Sequence, residues 1–251
     1  MDQLNCCTYI GFITPFIMKV EIWSDIVCPF CYIGKRRFEH ALEKFPHANQ
    51  VEVVWRSFEL TPDYQPEPGR NVYESLAEKK GIPVAQAKQM SDNMANMAKE
   101  VGLDYDFDHA VPTNTFLGHQ LIHLAAKHGK QGEAKERLMA AYYLQGQNLN
   151  EIDTLAQLAT EIGLDAEEAR AALTAGTYAE QVRYDEYQAQ QINVRGVPFF
   201  IFEDKYAVSG AQPTELFAEV LEKVWDESRP AKPAPVMLAD GPACGPDGCE
   251  V

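Results

Sequence analysis

Cysteine is scarce in this chain, six residues in 251, and that excludes a fold held together by a disulfide scaffold. Positive charge is scarce too: 22 Lys and Arg stand against 37 Asp and Glu, a formal net charge of −15. No basic stripe remains to follow a phosphate backbone or an anionic lipid, so neither nucleic acid nor a membrane surface is expected as a partner. Long apolar runs are also missing. The best candidate, Tyr9 to Ile17, is interrupted by Pro15 and falls short of the roughly 18 to 20 residues that cross a bilayer. It makes a poor secretory signal, because Asp2 and no Lys or Arg precede it and no Ala-x-Ala cleavage site follows. A cytoplasmic protein is expected. Met18 stands directly before a strand-like run, so residues 1–17 read as an extension ahead of the fold.

What is present is a change of periodicity along the chain. KVEIWSD (19–25) alternates, with Val20 and Ile22 on one face, which is a strand signal. After Cys-Pro-Phe-Cys, residues Ile33, Phe38, Leu42 and Phe45 recur at near-helical spacing until Pro46. VEVVWRSFEL (51–60), rich in β-branched and aromatic residues, predicts a second strand. Strand, helix, strand is a βαβ unit with parallel pairing. Between about Asn71 and Asn193 only helices are expected. They are punctuated by Pro83, Gly102, Gly129, Gly146 and Gly163, and opened by Asp165 with Glu168 and Thr177 with Glu180 in capping-box-like pairs. PFFIF (198–202) and Tyr206–Ser209 then predict a hairpin, and Pro213 opens a last helix closing near Trp225. Residues 229–251, rich in Pro and Gly, describe a tail without a core. The chain divides accordingly into an extension (1–17), a sheet-bearing part (18–68 and 194–226), a helical insertion (69–193) and a tail (227–251).

The cysteines fall in three pairs. Cys28 and Cys31 bracket a strand-to-helix junction, so Cys28 is expected at a helix N-terminus, where unpaired N–H groups stabilise a thiolate, the attacking species. Two intervening residues let Cys31 reach Cys28 and resolve a mixed disulfide. Lys35, Arg36 and Arg37 follow, expected as solvated charges. The competing readings are zinc ligation, which needs two further soft ligands at similar spacing, or two inert buried thiols; the junction favours redox chemistry, and no metal site is expected. Arg195-Gly-Val-Pro198 precedes the third strand; Val197-Pro198 is either an ordinary trans start to a strand or a cis bond facing the cysteines. Cys244-Gly-Pro-Asp-Gly-Cys249 is a turn-prone loop that lets two sulfurs meet, as an idle tail or as a second redox pair on a linker of about 19 residues spanning roughly 25 Å. Cys6 and Cys7 are given no role. The Met90, Met94, Met97 stripe is expected in the core, and His119 as an ordinary hydrogen-bonded or solvated histidine.

Taken together, EIWSDIVCPFCYIG, NTFLGHQL, GVPFFIF and YAVSGAQP, in the order strand, CPFC helix, strand, helical insertion, GVP strand, strand, helix, resemble the DsbA-type branch of the thioredoxin-fold oxidoreductases. More narrowly they resemble its FrnE-like subfamily, related to the 2-hydroxychromene-2-carboxylate isomerases, over about Met18 to Trp225. The resemblance implies an α/β thioredoxin fold with a large helical insertion. It implies Cys28 as nucleophile, Cys31 as resolving thiol, Pro198 as the cis-proline, and Val197, Pro29 and Phe30 beside the substrate. The activity implied is thiol–disulfide exchange on protein disulfides, without a cofactor, with thioredoxin or glutathione as reductant. Phe30 stands where strongly oxidising relatives carry histidine, so strong oxidant behaviour is not implied. The alternative is a glutathione-dependent small-molecule isomerase or transferase; those relatives replace the residue at Cys28, and retention of both cysteines favours exchange.

Overall fold

The computed structural model describes residues 16–228 and the backbone of two further two-residue strands; Cys6 and Cys7 lie outside the described residues. Strand β1 (Met18–Ser24) is followed by helix α1 (Pro29–Lys44) and strand β2 (Val51–Ser57), and β1 and β2 pair in parallel with Ile22 opposite Trp55. Strands β3 (Phe199–Phe202) and β4 (Tyr206–Ser209) form an antiparallel hairpin, and β3 runs antiparallel to β1, giving the order β2-β1-β3-β4. The hairpin turns through Glu203 and Asp204, both with positive φ. Helix α9 (Thr214–Ser228) runs three residues past the expected stop at Trp225.

Alternation in β1 decides which side is covered by what. Val20, Ile22, Phe200 and Phe202 are fully buried beneath α1 and α9, where Phe38 lies 5.7 Å from both Phe200 and Phe217 and Phe200 lies 4.7 Å from Phe217. Edge-to-face packing of this kind stabilises the core beyond simple area burial. The opposite face places Trp23 in a smaller cluster with Ala189 and Val194.

Between β2 and β3 come α2 (Val72–Lys80), α3 (Val84–Lys99), α4 (Phe116–Lys127), α5 (Gln131–Gln145), α6 (Ile152–Glu161), α7 (Ala166–Ala175) and α8 (Ala179–Gln191). No strand occurs among the described residues of this stretch. Asn71 and Glu74 close a full capping box at α2, and Asp165 accepts from the Glu168 N–H at α7. Thr177 does not cap α8. Its N–H instead donates to the Ala172 carbonyl in the left-handed closure of α7 at Gly176, and α8 begins one residue later, after Tyr178. Strand β2 likewise stops at Ser57 rather than Leu60. The N–H groups of Ser57 and Leu60 donate to the carboxylates of Asp185 and Asp25, at 2.8 Å each.

One apolar core runs through both regions, from Ile22 and Ile33 through Leu121 and Leu138 to Leu155 and Leu173. The mouth of the first βα connection, where Cys28 sits, lies against this continuous packing.

Candidate active site

Cys28 follows β1 as the cap residue of α1, in extended conformation (φ −91°, ψ 113°), with Pro29 in the first turn, where its missing N–H costs nothing. The Cys31 N–H donates to the Cys28 carbonyl at 3.0 Å, which closes the turn and holds the cysteines together. Both are free thiols, Cys28 4% and Cys31 1% exposed. Across from them the Val197–Pro198 peptide is cis, and the Cys28 thiol donates to the Val197 carbonyl at 3.5 Å. Close approach of α1 to this loop depends on Gly34, since a Cβ there would meet Pro198 Cγ at 2.9 Å. Pro29 is half-buried and Phe30 is exposed at the rim.

Under the cysteines lies a buried polar group. Asp25 accepts at Oδ1 from the Ile26 N–H (2.7 Å) and at Oδ2 from the Leu60 N–H (2.8 Å), and His119 Nε2 lies 3.3 Å from Oδ1. Lys135, on α5, donates from Nζ to the Ser24 carbonyl at 3.0 Å. Asp25, His119 and Lys135 are each 1% exposed. Burial works against an ionised Asp25, but His119, the Leu60 N–H and the Lys135 charge hold its carboxyl below the usual range. Burial lowers His119 and brings Lys135 down to about 8. A carboxylate only accepts, so the neutral His119 carries its proton on Nε2.

These surroundings work against the thiolate that the helix terminus favours. The Cys31 thiol beside it, then burial, with a smaller contribution from the Asp25 charge, push the Cys28 thiol well above its ordinary value. Lys35 and Arg36 are not the solvated charges expected either. Lys35 is 3% exposed and reaches both Glu39 and Glu136 at 2.5 Å, while Arg36 joins Glu136 and Tyr32. Although burial opposes it, the Arg36 and Lys35 charges take the Glu136 carboxyl down to about 2. Tyr105, stacked on Tyr143 at 4.3 Å, donates its hydroxyl to the Pro29 carbonyl at 2.8 Å.

Beside Cys28 opens a cavity of about 1020 Å³, walled by Val197 on one side and by α2 and α3 on the other. Among the described residues no cluster of three or more His, Cys, Asp or Glu is arranged to hold a metal ion. Cys244 and Cys249 face each other in the ladder of β5 (Cys244–Gly245) and β6 (Gly248–Cys249). The structure therefore brings together Cys28, Cys31, Pro29, Phe30, Val197 and Pro198. It adds Asp25, Lys135 and Tyr105, which the sequence reasoning missed, and places His119 as a buried, hydrogen-bonded histidine beneath the cysteines. A lysine and a tyrosine more than 70 residues away carry no motif, whereas an acid three residues before a C-x-x-C was a signal open to notice.

The chain as a whole resembles known proteins. Residues 19–222 match the family model described as a DSBA-like thioredoxin domain. A probable DsbA oxidoreductase from Streptomyces coelicolor, SCO1869, is 43% identical with a TM-score of 0.79, covering 93% of this chain and 99% of its own. An uncharacterized protein of Bacillus subtilis (strain 168), YwbO, is 29% identical over 81% of this chain and 96% of its own. The cytosolic disulfide reductase DsbM of Pseudomonas aeruginosa shares the fold, at 16% identity and a TM-score of 0.60 over 84% of this chain and all of its own. With a match that spans most of its length and the paired cysteines at the head of α1, the chain belongs to the DSBA-like thioredoxin domain family.

Proposed function

We propose that the protein is a cytoplasmic thiol–disulfide oxidoreductase or isomerase acting on protein disulfides. The observation that carries this is the pair of free thiols at the first turn of α1 with the Val197 carbonyl 3.5 Å from Cys28 Sγ. The Cys28 thiolate attacks a client sulfur, the client disulfide breaks, and the departing client sulfur takes up a proton. Cys31 then attacks Cys28 Sγ, releases the client as a thiol and leaves the Cys28–Cys31 disulfide, which thioredoxin or glutathione returns to the dithiol. Val197, Pro198, Pro29 and Phe30 border the client. The direction proposed is reduction and reshuffling of accidental disulfides over net oxidation. A reducing compartment suits that direction, and among the described residues no helix is long and apolar enough to cross a membrane.

The same reading treats residues 18–68 with 194–226 as the thioredoxin-like part and 69–193 as an insertion. It makes Cys244 and Cys249, opposed in their ladder, a second redox pair that exchanges with the first. Cys31→Ser should trap mixed disulfides with protein clients, and Cys28→Ser should abolish reduction of insulin disulfides. No trapped client together with intact catalysis in Cys28→Ser would overturn the assignment. Cys244→Ser with Cys249→Ser should change turnover or the redox state of the first pair; no change in either removes the tail from the mechanism.

A further inference from the structure

At Ser57 the chain leaves the sheet, and its backbone must find acceptors elsewhere. The N–H groups of Ser57, Glu59 and Leu60 donate to three carboxylates from other elements: Asp185 and Glu186 of α8, at 2.8 and 3.3 Å, and Asp25 beyond β1, at 2.8 Å. The Glu59 side chain, fully buried, brings a fourth carboxyl to the same place. The cations that face this group are unevenly shared. Arg56 and His123 meet Asp185 at 3.0 and 3.1 Å, and His119 meets Asp25 with the Lys135 charge nearby. A single nitrogen of Arg183, Nη1, serves both Glu59 Oε2 at 2.5 Å and Glu186 Oε2 at 2.7 Å. Glu59 Oε1 is left enclosed without a hydrogen-bond partner, and among the described residues no other acid of the four has such an oxygen. A buried carboxylate oxygen with no donor is a costly way to hold a charge, and the cost falls when the group keeps its proton.

We infer that Glu59 is a positioning residue for the active site: as a neutral acid it lets residues 57–60 hold Asp25 beneath the cysteines, and its ionisation loosens that hold and slows exchange. This rests on the disulfide exchange proposed above. Leu60 makes the connection. Its N–H clamps Asp25 Oδ2, its side chain lines the cavity beside Cys28, and its carbonyl accepts from Lys79 of α2 at 3.2 Å. A charge on Glu59 sets a third carboxylate beside Asp25 and Glu186 around one half-exposed arginine. Like charges in an enclosed seam repel strongly, and the bare oxygen then competes for the N–H groups that the neighbouring carboxylates hold. Both effects pull on the backbone that carries Leu60. The new charge also joins that of Asp25, which already opposes ionisation of the Cys28 thiol. The two routes have the same sign. Burial, opposed by Arg183 and aided by the Glu186 and Asp25 charges, raises the Glu59 carboxyl to about 7, so the change falls near neutrality.

The test compares the full-length protein with Glu59→Gln, which keeps the shape of the neutral acid and cannot ionise. Reaction of each reduced protein with a dipyridyl disulfide is followed between about pH 5.5 and 8.5, and the ratio of the two rates cancels the ordinary rise of thiolate with pH. The proteins should react alike at the acid end, and the wild type about threefold more slowly than the variant at the alkaline end. The Leu60 amide proton resonance should shift across the same range in the wild type and stay fixed in Glu59→Gln. Glu186→Gln, which removes one repelling charge, should move that shift to lower pH. A rate ratio constant over the range would overturn the role of Glu59, as would a Leu60 amide with the same pH dependence in wild type and Glu59→Gln. Release of no chromophore at any pH, with the Leu60 shift present, would overturn the exchange itself and leave the seam a pH-sensitive contact without a part in it.

Discussion

Two regions meet at Cys28 and contribute different kinds of atoms. The sheet with α1 supplies the sulfurs and the Val197 carbonyl, placed by connections that are local or nearly so: a strand end, a capping turn and one strand start. The stretch from α2 to α8 supplies no cysteine. It supplies His119, Lys135 and Tyr105, which hold Asp25, the end of β1 and the Pro29 carbonyl from beneath, and the apolar wall opposite. The difference separates the reacting atoms from their support: one region carries the thiols and Asp25, the other packs beneath them and holds Asp25 and the end of β1 in place. A shared core joins them, so a disturbance of the contact layer should be felt on both sides.

The strongest way to break that division is to remove its hinge. Asp25→Ala deprives His119, the Ile26 N–H and the Leu60 N–H of their acceptor. Each buried donor left unsatisfied costs about 1–3 kcal/mol, to be read as a lower urea midpoint at unchanged slope. Asp25→Asn keeps the shape and removes the charge. The Cys28 thiol should then ionise more readily and be alkylated faster at neutral pH, because the Asp25 charge is one cause of its raised value. Alkylation no faster than in the wild type would show that the polar group beneath does not reach the sulfur.

A smaller effect belongs to the sheet side alone. Gly34→Ala places a methyl 2.9 Å from Pro198 Cγ and 3.4 Å from Ala211 Cα, and forced overpacking of this kind costs about 1–3 kcal/mol. The same displacement moves Val197 away from Cys28, so disulfide reduction should slow even at temperatures where the variant remains folded. Unchanged turnover would mean that the loop is not held by α1.

Smaller again, and confined to the seam, is Glu59. Its side chain is fully buried against Arg183 of α8, and burial, aided by the Glu186 charge, raises its carboxyl to about 7. The folded protein therefore holds this proton more tightly than the unfolded chain does. Between about pH 4.5 and 7 this group makes stability fall as pH rises. Glu59→Gln should flatten that slope in urea titrations across the window. A slope equal to the wild type's would place the pH dependence elsewhere.

What was legible in the sequence follows the same division. Alternation in KVEIWSD, the cysteine spacing and the GVP before PFFIF lie within a few residues of the features they produce, and their elements stand close to where they were expected. The ends were less legible where a distant side chain intervened: β2 stops early because Asp185 and Asp25 take its donors, and Thr177 serves the helix before it instead of the one after. Local spacing carries no record of Lys135 arriving under Ser24, or of Lys35 and Arg36 meeting Glu136, because those contacts exist only once α5 docks. The methionine stripe divides for a related reason: Met97 packs against the core as expected, while Met90 and Met94 line the cavity. Periodicity reports that one face of α3 is apolar, and only the fold shows which wall that face becomes.

The finest probe of the division is Tyr105→Phe. The ring and its stacking on Tyr143 are kept, and a single buried hydrogen bond to the Pro29 carbonyl is lost, which should cost about 1 kcal/mol of stability. The Pro29 carbonyl lies in the first turn of α1, the turn whose Cys31 N–H bonds the Cys28 carbonyl. Loosening that turn weakens the helix-terminus field at Cys28, so loss of the hydroxyl should slow alkylation of Cys28 at fixed pH, opposite in sign to Asp25→Asn. If stability falls and reactivity does not, Tyr105 only fastens the two regions together; if both fall, the helical stretch tunes the thiol through the backbone as well as through charge.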